Sequence, residues 1–251
     1  MYVWRGGINK MAKPRYGAGS DAPKSTTVEK LDNNSSNLFE ALLADDLSRV
    51  PYKQPAPLKS KISEEELIEK LAGGDLTEGS CASLAYAYVA NKEGNLDVTD
   101  YRGGSSQSFF SAGETSGKIA QLDGVKSELF TSPKNNGILN ANNALNSVQP
   151  GKEYILFAGK HAAIVRKNKK SGKLEYLEMQ ERHQKLNGFI EFNKSTLKDR
   201  FHCQASSKKY LLASRLIETK SLGTSSKFAG TVGYINTDSN KQKKGISGYA
   251  K

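Results

Sequence analysis

The chain has 251 residues, of which 37% are hydrophobic, and its formal net charge is +11. No run approaches the ~20 apolar residues that a membrane-spanning helix needs, and the first residues lack the apolar segment of a secretory signal peptide. Two cysteines do not make a disulfide framework, so we expect free thiols in a reducing compartment. These features argue against membrane-spanning and disulfide-stabilised secreted proteins, and they predict a cytoplasmic or particle-associated protein.

The composition divides the chain into three parts. Residues 1–60 are rich in Gly, Asn, Ser, Lys and Pro and predict an extended arm and linker, with one short amphipathic helix near residues 37–47. Residues 61–219 carry the periodic apolar patterns of a folded domain. Residues 220–251 contain six lysines and one aspartate and predict a flexible basic tail. Such a tail suits an acidic partner such as nucleic acid, or it is simply a solvated tail, because no RNP-like or zinc-knuckle motif accompanies it.

Helices are the first elements expected in the domain. Ser63 as N-cap and the pair Gly73-Gly74 as stop predict a helix over residues 63–71. The alanine-rich run from Ala82 to Ala90 predicts a second helix that carries Cys81 in its first turn.

A strand-rich half follows these helices. Strands are expected at residues 96–101, 153–158, 161–167, 174–180, 189–192, 200–203 and 210–217, with one more helix at 136–145. Helices followed by hairpins predict an α+β fold with a mostly antiparallel sheet. In the hairpin of 161–167 and 174–180, the loop 168–173 pairs Lys167 with Leu174, and the same register places His161 opposite Gln180.

Three of these residues have the types of a nucleophile, a base and an orienting group. The thiol of Cys81 lies near the positive end of a helix dipole, which favours the thiolate. His161 shares a strand face with Glu178 and Gln180, and either of these could accept from one imidazole nitrogen and leave the other for the thiol. The ordinary alternative is a small buried cysteine beside a structural histidine.

The other chemically capable residues predict no second site. Two cysteines and three histidines lack the spacing of zinc ligands, so we expect no metal, and no motif indicates a cofactor. His202 and Cys203 are neighbours on an expected strand, so their side chains point to opposite faces and cannot act together. A serine hydrolase has no nucleophile-elbow motif to support it.

Four segments together resemble a known family. They are Ser-Cys-Ala-Ser-Leu-Ala-Tyr-Ala-Tyr (80–88), Val-Thr-Asp-Tyr-Arg-Gly-Gly-Ser-Ser-Gln-Ser-Phe-Phe-Ser (98–111), Gly-Lys-His-Ala-Ala-Ile-Val-Arg (159–166) and Tyr-Leu-Glu-Met-Gln (176–180). These segments resemble the papain-fold toxin domains, which occur in bacterial polymorphic toxins and at the C-termini of phage head-morphogenesis proteins. The resemblance covers residues 75–237, and the last runs of the chain look like the endings of phage proteins.

The resemblance implies a papain-like fold and an amide chemistry. Cys81 would be the nucleophile, His161 the general base, and Gln180 or Glu178 the orienting residue, while the loop Arg102-Gly103-Gly104 would border the cleft. The substrate would be a protein or peptide, and the enzyme a peptidase, a deamidase or a transamidase.

One departure from the papain pattern concerns the oxyanion hole. Papain-type enzymes place a glutamine shortly before the cysteine, whereas residues 73–80 contain neither Gln nor Asn. The backbone N–H of Cys81 supplies one donor, and the second donor stays open among another backbone N–H, Thr77, Ser80 or a distant amide side chain. Loss of one such donor typically slows acyl transfer about 10²–10³-fold.

The main alternative is a protein without catalysis. A phage virion or cargo protein would use the papain-like core as a scaffold and its low-complexity arms to bind other virion proteins. A further hypothesis is that the helix at 37–47 covers the cleft as an inhibitory segment, because its apolar side suits docking.

Overall fold

An antiparallel sheet divides the core of the protein, and helices pack on both of its faces. The computed structural model describes residues 40–45, 52, 54–72, 80–98, 110, 113–181 and 184–235. Within these residues the fold is α+β with antiparallel sheets, which confirms the predicted class. The arm at residues 1–39, the loop Arg102-Gly103-Gly104 and the last residues, 236–251, lie outside the described part.

The helices and strands alternate irregularly along the chain. The helices are α1 at residues 40–45, α2 at Glu64–Leu71, α3 at Cys81–Lys92, α4 at Gly113–Ile119, α5 at Gly137–Asn146, α6 at Thr196–Asp199, α7 at Thr219–Gly223 and α8 at Ser226–Val232. The strands are β1 at Ala56–Pro57, β2 at Leu96–Asp97, β3 at Ser127–Phe130, β4 at Glu153–Ala158, β5 at His161–Lys167, β6 at Leu174–Glu178, β7 at Gly188–Glu191 and β8 at Ser214–Glu218.

Six strands form the main sheet in the order β3-β8-β4-β5-β6-β7. Every neighbouring pair in it is antiparallel, and β1 and β2 pair separately. The central strands β4 and β5 are nearly continuous apolar runs, because each is covered on both faces. Their tight connection, Gly159-Lys160, joins Ala158 directly to its partner His161.

The central helix α3 is buried on all sides. Residues 82–91 are all buried, which explains why its apolar residues show no single stripe. Alanines on this helix let it approach the sheet closely, while Tyr86 fills the space towards Phe110, Phe157 and Phe228. The helix is therefore held in the interior of the protein, and Cys81 at its start is partly buried against the core.

A charged network fixes the far end of α3. Lys92 Nζ lies 2.6 Å from Glu64 and 2.9 Å from Glu153. Arg166 Nη1 lies 2.8 Å from the same Glu64 and 3.0 Å from Glu153. These four residues join α2, α3, β4 and β5 away from Cys81, so the helix is anchored to the sheet at the end opposite the thiol.

Several predicted elements are confirmed. Ser63 caps α2 by accepting from the Glu66 N–H at 3.1 Å, and β4 spans the predicted residues 153–158. The hairpin of β5 and β6 has the predicted register, with Lys167 opposite Leu174 and Val165 opposite Tyr176. That ladder stops at Val165, however. The prediction that His161 lies directly opposite Gln180, which extended the same register to the start of β5, is therefore wrong.

Three predictions about elements are wrong. Residues 200–203 are not a strand, since α6 ends at Asp199 and an irregular segment follows. The predicted linker contains β1, whose Pro57 pairs with Leu96. The domain does not end at residue 219, because α7 and α8 bury Leu222 and Phe228 in the core. The interpretation of a flexible tail therefore remains open only for residues 236–251, which lie beyond the described range.

Candidate active site at the start of the central helix

Cys81 is the first residue of α3, and its sulfur meets the sheet. The preceding Ser80 is fully buried, and Cys81 itself is partly buried. Burial raises the pKa of the Cys81 thiol, whereas the backbone N–H groups of Ala162 on β5 and of Ala82 on the helix favour its thiolate and so lower that pKa. The thiol thus lies against the second residue of β5, beside the predicted base His161.

The sulfur reaches this strand because β5 and β6 separate there. In a two-residue hairpin the closing pair, here Ala158 and His161, bonds across the hairpin, so the N–H of Ala162 points to the other side. The strand on that side, β6, pairs with β5 only from Val165 onward. The N–H of Ala162 therefore has no cross-strand partner on β6, and it favours the thiolate of the nearby Cys81.

Glu178 lies nearby at the end of β6 and is 2% exposed. Its carboxylate accepts from Arg200 through Nε and through Nη2 at 2.8 Å, and from the backbone N–H groups of Met179 and Gln180, each at 3.0 Å. Burial alone would raise the pKa of Glu178, but the hydrogen bonds and charge of Arg200 outweigh it and hold that pKa below its ordinary value. Glu178 is therefore an ionised partner of Arg200.

Gln180 connects this ion pair to the start of α3. Its side-chain oxygen accepts from Arg200 Nη2 at 3.1 Å, and its side-chain nitrogen donates to Ser80 Oγ at 2.8 Å. The two bonds fix which end of the amide faces the helix. A continuous polar chain therefore runs from Glu178 through Arg200 and Gln180 to the residue before Cys81.

His161 is buried at the same end of the sheet, on the side of Phe201. Its ring contacts Phe201 edge to face with centroids 4.9 Å apart, and its Nε2 atom is buried without a hydrogen-bond partner among the described residues. Burial, and then the positive charge of Arg200, lower the pKa of His161 to about 3. The imidazole is neutral throughout the physiological range.

Cys81 and His161 approach β5 from different faces. Ala162 and Ile164 belong to the core cluster against which Cys81 packs, whereas Ala163 belongs to the cluster of Phe201. By strand alternation His161 shares the second face, and its Nε2 accepts no bond from the thiol. The structure brings the thiol and the imidazole to one strand end without the direct bond that a preformed thiolate–imidazolium pair would show.

The thiol of Cys81 is also neutral in this arrangement. Burial raises the pKa of Cys81, and the Ala162 N–H and then the Arg200 charge oppose that rise only in part. Both members of the predicted pair are therefore uncharged near neutral pH, whereas the helix-dipole argument favoured the thiolate.

The four residues singled out in the sequence lie together, but their bonds differ from the predicted roles. Glu178 and Gln180 bond to Arg200, to Ser80 and to the backbone, not to His161 Nε2. Arg200 is the residue that sequence analysis missed, because it fell on a segment interpreted as a strand. The available signal was Glu178 itself, since a carboxylate on a buried strand requires a cationic partner.

Cys203 and His202 lie outside this cluster, and His183 lies outside the described residues. Cys203 is buried, and burial raises the pKa of its thiol to about 12. His202 is exposed, has a positive φ of 54° and lines a small pocket with Lys160 and Tyr210. Among the residues described, no three His, Cys, Asp or Glu side chains are grouped to hold a metal ion.

Comparison with known proteins leaves the family open. No protein-family model, curated protein or solved structure matches the chain. In the described ranges, no helix is both long and apolar enough to cross a membrane. Any function must therefore be argued from the site itself.

Proposed function

We propose that this protein is a papain-like cysteine enzyme that acts on an amide bond. The observation that carries the proposal is the position of the Cys81 thiol. It lies at a helix start, packs against the cluster that contains Ala162, and adjoins the strand end of a buried imidazole and a buried polar chain. Buried ionisable groups with perturbed pKa values concentrate at functional sites, and this cluster contains four of them.

The chemistry follows from these positions. The sulfur of Cys81 bonds to the substrate carbonyl carbon while the thiol proton passes to the neutral imidazole of His161, which must first turn from the other face of β5 to reach the thiol. Collapse of the tetrahedral intermediate breaks the C–N bond, and the imidazolium returns the proton to the leaving amine. Water then releases the thioester in a peptidase or deamidase, whereas an amine releases it in a transamidase.

Gln180 is our candidate for the second oxyanion donor. Its side-chain nitrogen lies 2.8 Å from Ser80 Oγ, so an amide donor reaches the start of α3, where the sequence before Cys81 offers none. We assign to it the donor role beside the Cys81 backbone N–H, in place of the orienting role for His161. Arg200 holds the amide oxygen and so keeps the nitrogen turned towards the helix.

Cys81→Ser tests the proposal, with Cys203→Ser as the matched control. We expect the Cys81 variant to lose amide turnover about 10³-fold or more while its circular dichroism and melting temperature stay unchanged. The Cys203 variant should keep its turnover, because that thiol lies outside the cluster. Turnover of a peptide library, followed by mass spectrometry, measures both, and undiminished turnover in Cys81→Ser refutes the proposal.

A non-catalytic component of a phage particle is the second candidate. One observation favours it, namely that the thiol and imidazole are both neutral and share no hydrogen bond. This candidate predicts that Cys81 reacts with electrophilic peptide probes no faster than Cys203. Selective labelling of Cys81, abolished by unfolding, argues for the enzyme.

A further inference from the structure

We infer that Arg200, rather than His161, is the cation that stabilises the thiolate of Cys81. This inference rests on the proposed cysteine chemistry, and it makes Arg200 a positioning residue for the nucleophile. It concerns the ionisation of one thiol, which can be measured without any substrate.

Arg200 is connected to the start of α3 by direct hydrogen bonds. Its Nη2 donates to the oxygen of Gln180 at 3.1 Å, and the nitrogen of Gln180 donates to Ser80 Oγ at 2.8 Å. The guanidinium is thus one amide side chain away from the residue that precedes Cys81. Burial raises the pKa of Cys81, the positive charge of Arg200 opposes that rise, and a Cys81 thiolate in turn favours the charged guanidinium.

The negative charge of Glu178 does not cancel this effect. Both oxygens of Glu178 are covered by donors from Arg200 and by the N–H groups of Met179 and Gln180. The carboxylate therefore accepts hydrogen bonds both from the backbone at the end of β6 and from the guanidinium, so Arg200 is not the sole group that balances its negative charge. The Nη1 atom of Arg200 makes no hydrogen bond within the part of the chain that is described, so donor capacity remains for another anion.

His161 is poorly placed to serve as the counter-charge. Its ring lies on the other face of β5 against Phe201, and its Nε2 has no partner. Burial, the charge of Arg200 and that of His202 all oppose a proton on the imidazole, and Glu178 only partly offsets them. Two cations side by side in a buried site repel each other, so an imidazolium formed before attack would compete with Arg200.

The described charged and titratable groups around the thiol therefore divide into two roles. Arg200, which follows α6, stabilises the thiolate, with Glu178 on β6 holding Arg200 in place. His161 on β5 stays neutral and accepts a proton only during attack, and His202 lies behind it. The thiol then titrates in one step whose midpoint depends on Arg200 and not on His161.

The test is the pH dependence of Cys81 alkylation by iodoacetamide in the full chain, measured by mass spectrometry with Cys203 as internal reference. Arg200→Gln should move the midpoint up so that the thiolate fraction at a fixed pH falls about tenfold. Arg200→Lys keeps a positive charge and should restore most of the effect. Lys198→Gln removes an exposed cation two residues away and should leave the midpoint unchanged.

His161→Gln separates the two cations. We expect its alkylation midpoint to match that of the unsubstituted protein. If Cys81 and His161 instead formed a thiolate–imidazolium pair, this substitution would raise the midpoint and flatten the acidic side of the profile. A shift in His161→Gln without one in Arg200→Gln overturns the inference, and so does an unchanged midpoint in both.

Arg200→Gln leaves the buried Glu178 unpaired and therefore endangers folding. The double variant Glu178→Gln/Arg200→Gln replaces the ion pair by two amides and so leaves no unpaired buried charge. If Arg200 is the counter-charge, the alkylation midpoint of this variant must shift upward as well. The outcome is independent of turnover. Full turnover in Cys81→Ser refutes the proposed enzyme, whereas a midpoint governed by His161 refutes only the role of Arg200.

Discussion

At the scale of single residues, the candidate site consists of groups whose charge states are set by burial and by one guanidinium. His161 and Cys81 are held neutral, and Glu178 and Arg200 are held charged. A neutral imidazole can take a proton and a neutral thiol can give one, so the pair is in the protonation states that precede attack. Burial and the charge of Arg200 keep the imidazole in that state.

The first prediction concerns acid stability. The folded-state pKa of His161 is about 3, below its ordinary 6.5, so the unfolded chain takes up the proton first as the pH falls. The associated stability is fully present above pH ~6.5 and is lost on acidification towards pH ~3. Between pH 7 and 5, the free energy of unfolding should fall by about 2 kcal/mol less in His161→Gln than in the unsubstituted protein. Urea denaturation at each pH measures this difference.

His202→Asn is the control for this measurement. The exposed His202 has a left-handed backbone conformation that Asn tolerates, so its substitution should preserve the fold, and the loss of stability that we attribute to His161 should remain. If His161→Gln loses stability with acid as steeply as the original chain, then the neutral buried imidazole is refuted.

At the scale of elements, the hairpin turn between β4 and β5 sets the position of His161. Gly159 has a φ of 57°, and the N–H of the next residue, Lys160, donates to the carbonyl of Phe201 at 2.8 Å. The segment after α6 is thereby fastened to the turn, and the Phe201 ring is brought against the imidazole. The same segment supplies Arg200, so one irregular stretch places both the cation and the aromatic wall of the site.

Gly159→Ala is predicted to break this fastening. A Cβ at this position would overlap the carbonyl oxygen of Phe201 and would also sit on a left-handed backbone. We expect a loss of at least about 3 kcal/mol in the free energy of unfolding, together with slower turnover. Gly172→Ala is the matched control, because Gly172 has a φ of 69° with no atom within 4 Å of the added Cβ.

The control isolates the packing contribution. Gly172→Ala should lose only about 1 kcal/mol, the cost of a left-handed alanine. Equal losses at the two glycines, measured by urea denaturation, would show that the turn does not press on the segment that carries Phe201.

At the scale of the whole molecule, the sheet separates two apolar clusters, and the chain after residue 219 completes one of them. Leu222, Phe228, Val232 and Ile235 all pack with α3 in the first cluster. The start of the chain also contributes, since Leu43 of α1 is buried there and Glu40 lies 2.9 Å from Lys227 of α8. Segments that composition assigned to an arm and a tail are therefore parts of the core around the central helix.

Phe228→Ala tests this assignment. Phe228 is 1% exposed and contacts Tyr86, so we expect a loss of about 3–4 kcal/mol with little relaxation of the cavity. Lys227→Ala removes only the exposed ion pair with Glu40 and should leave the free energy of unfolding nearly unchanged. Denaturation of both variants by urea gives the comparison, and a Phe228→Ala variant as stable as Lys227→Ala contradicts the packed C-terminal helices.

Local chemistry made the central elements predictable. The Ser63 cap, the alanine-rich helix from Cys81 and the β4 strand follow from capping residues and apolar periodicity, which act over a few residues. The loop 168–173 likewise set the register of the β5–β6 hairpin, because a turn of known length determines its cross-strand pairs. The same local rules failed for residues 200–203. Phe201 and Cys203 alternate there with polar residues as in a half-buried strand, but the segment is irregular.

The sequence by itself determined the α+β class, the helix that begins at Cys81, and the group of four residues from which a site could be built. Only the tertiary structure decided how they are connected, because the connecting bonds join residues far apart in the chain; Gln180 and Ser80 are separated by 100 positions. It also revealed Arg200, placed His161 on the other face of β5, and assigned α7 and α8 to the core. Burial sets the charge of a carboxylate or a thiol, and burial is a property of the packed molecule rather than of any local pattern.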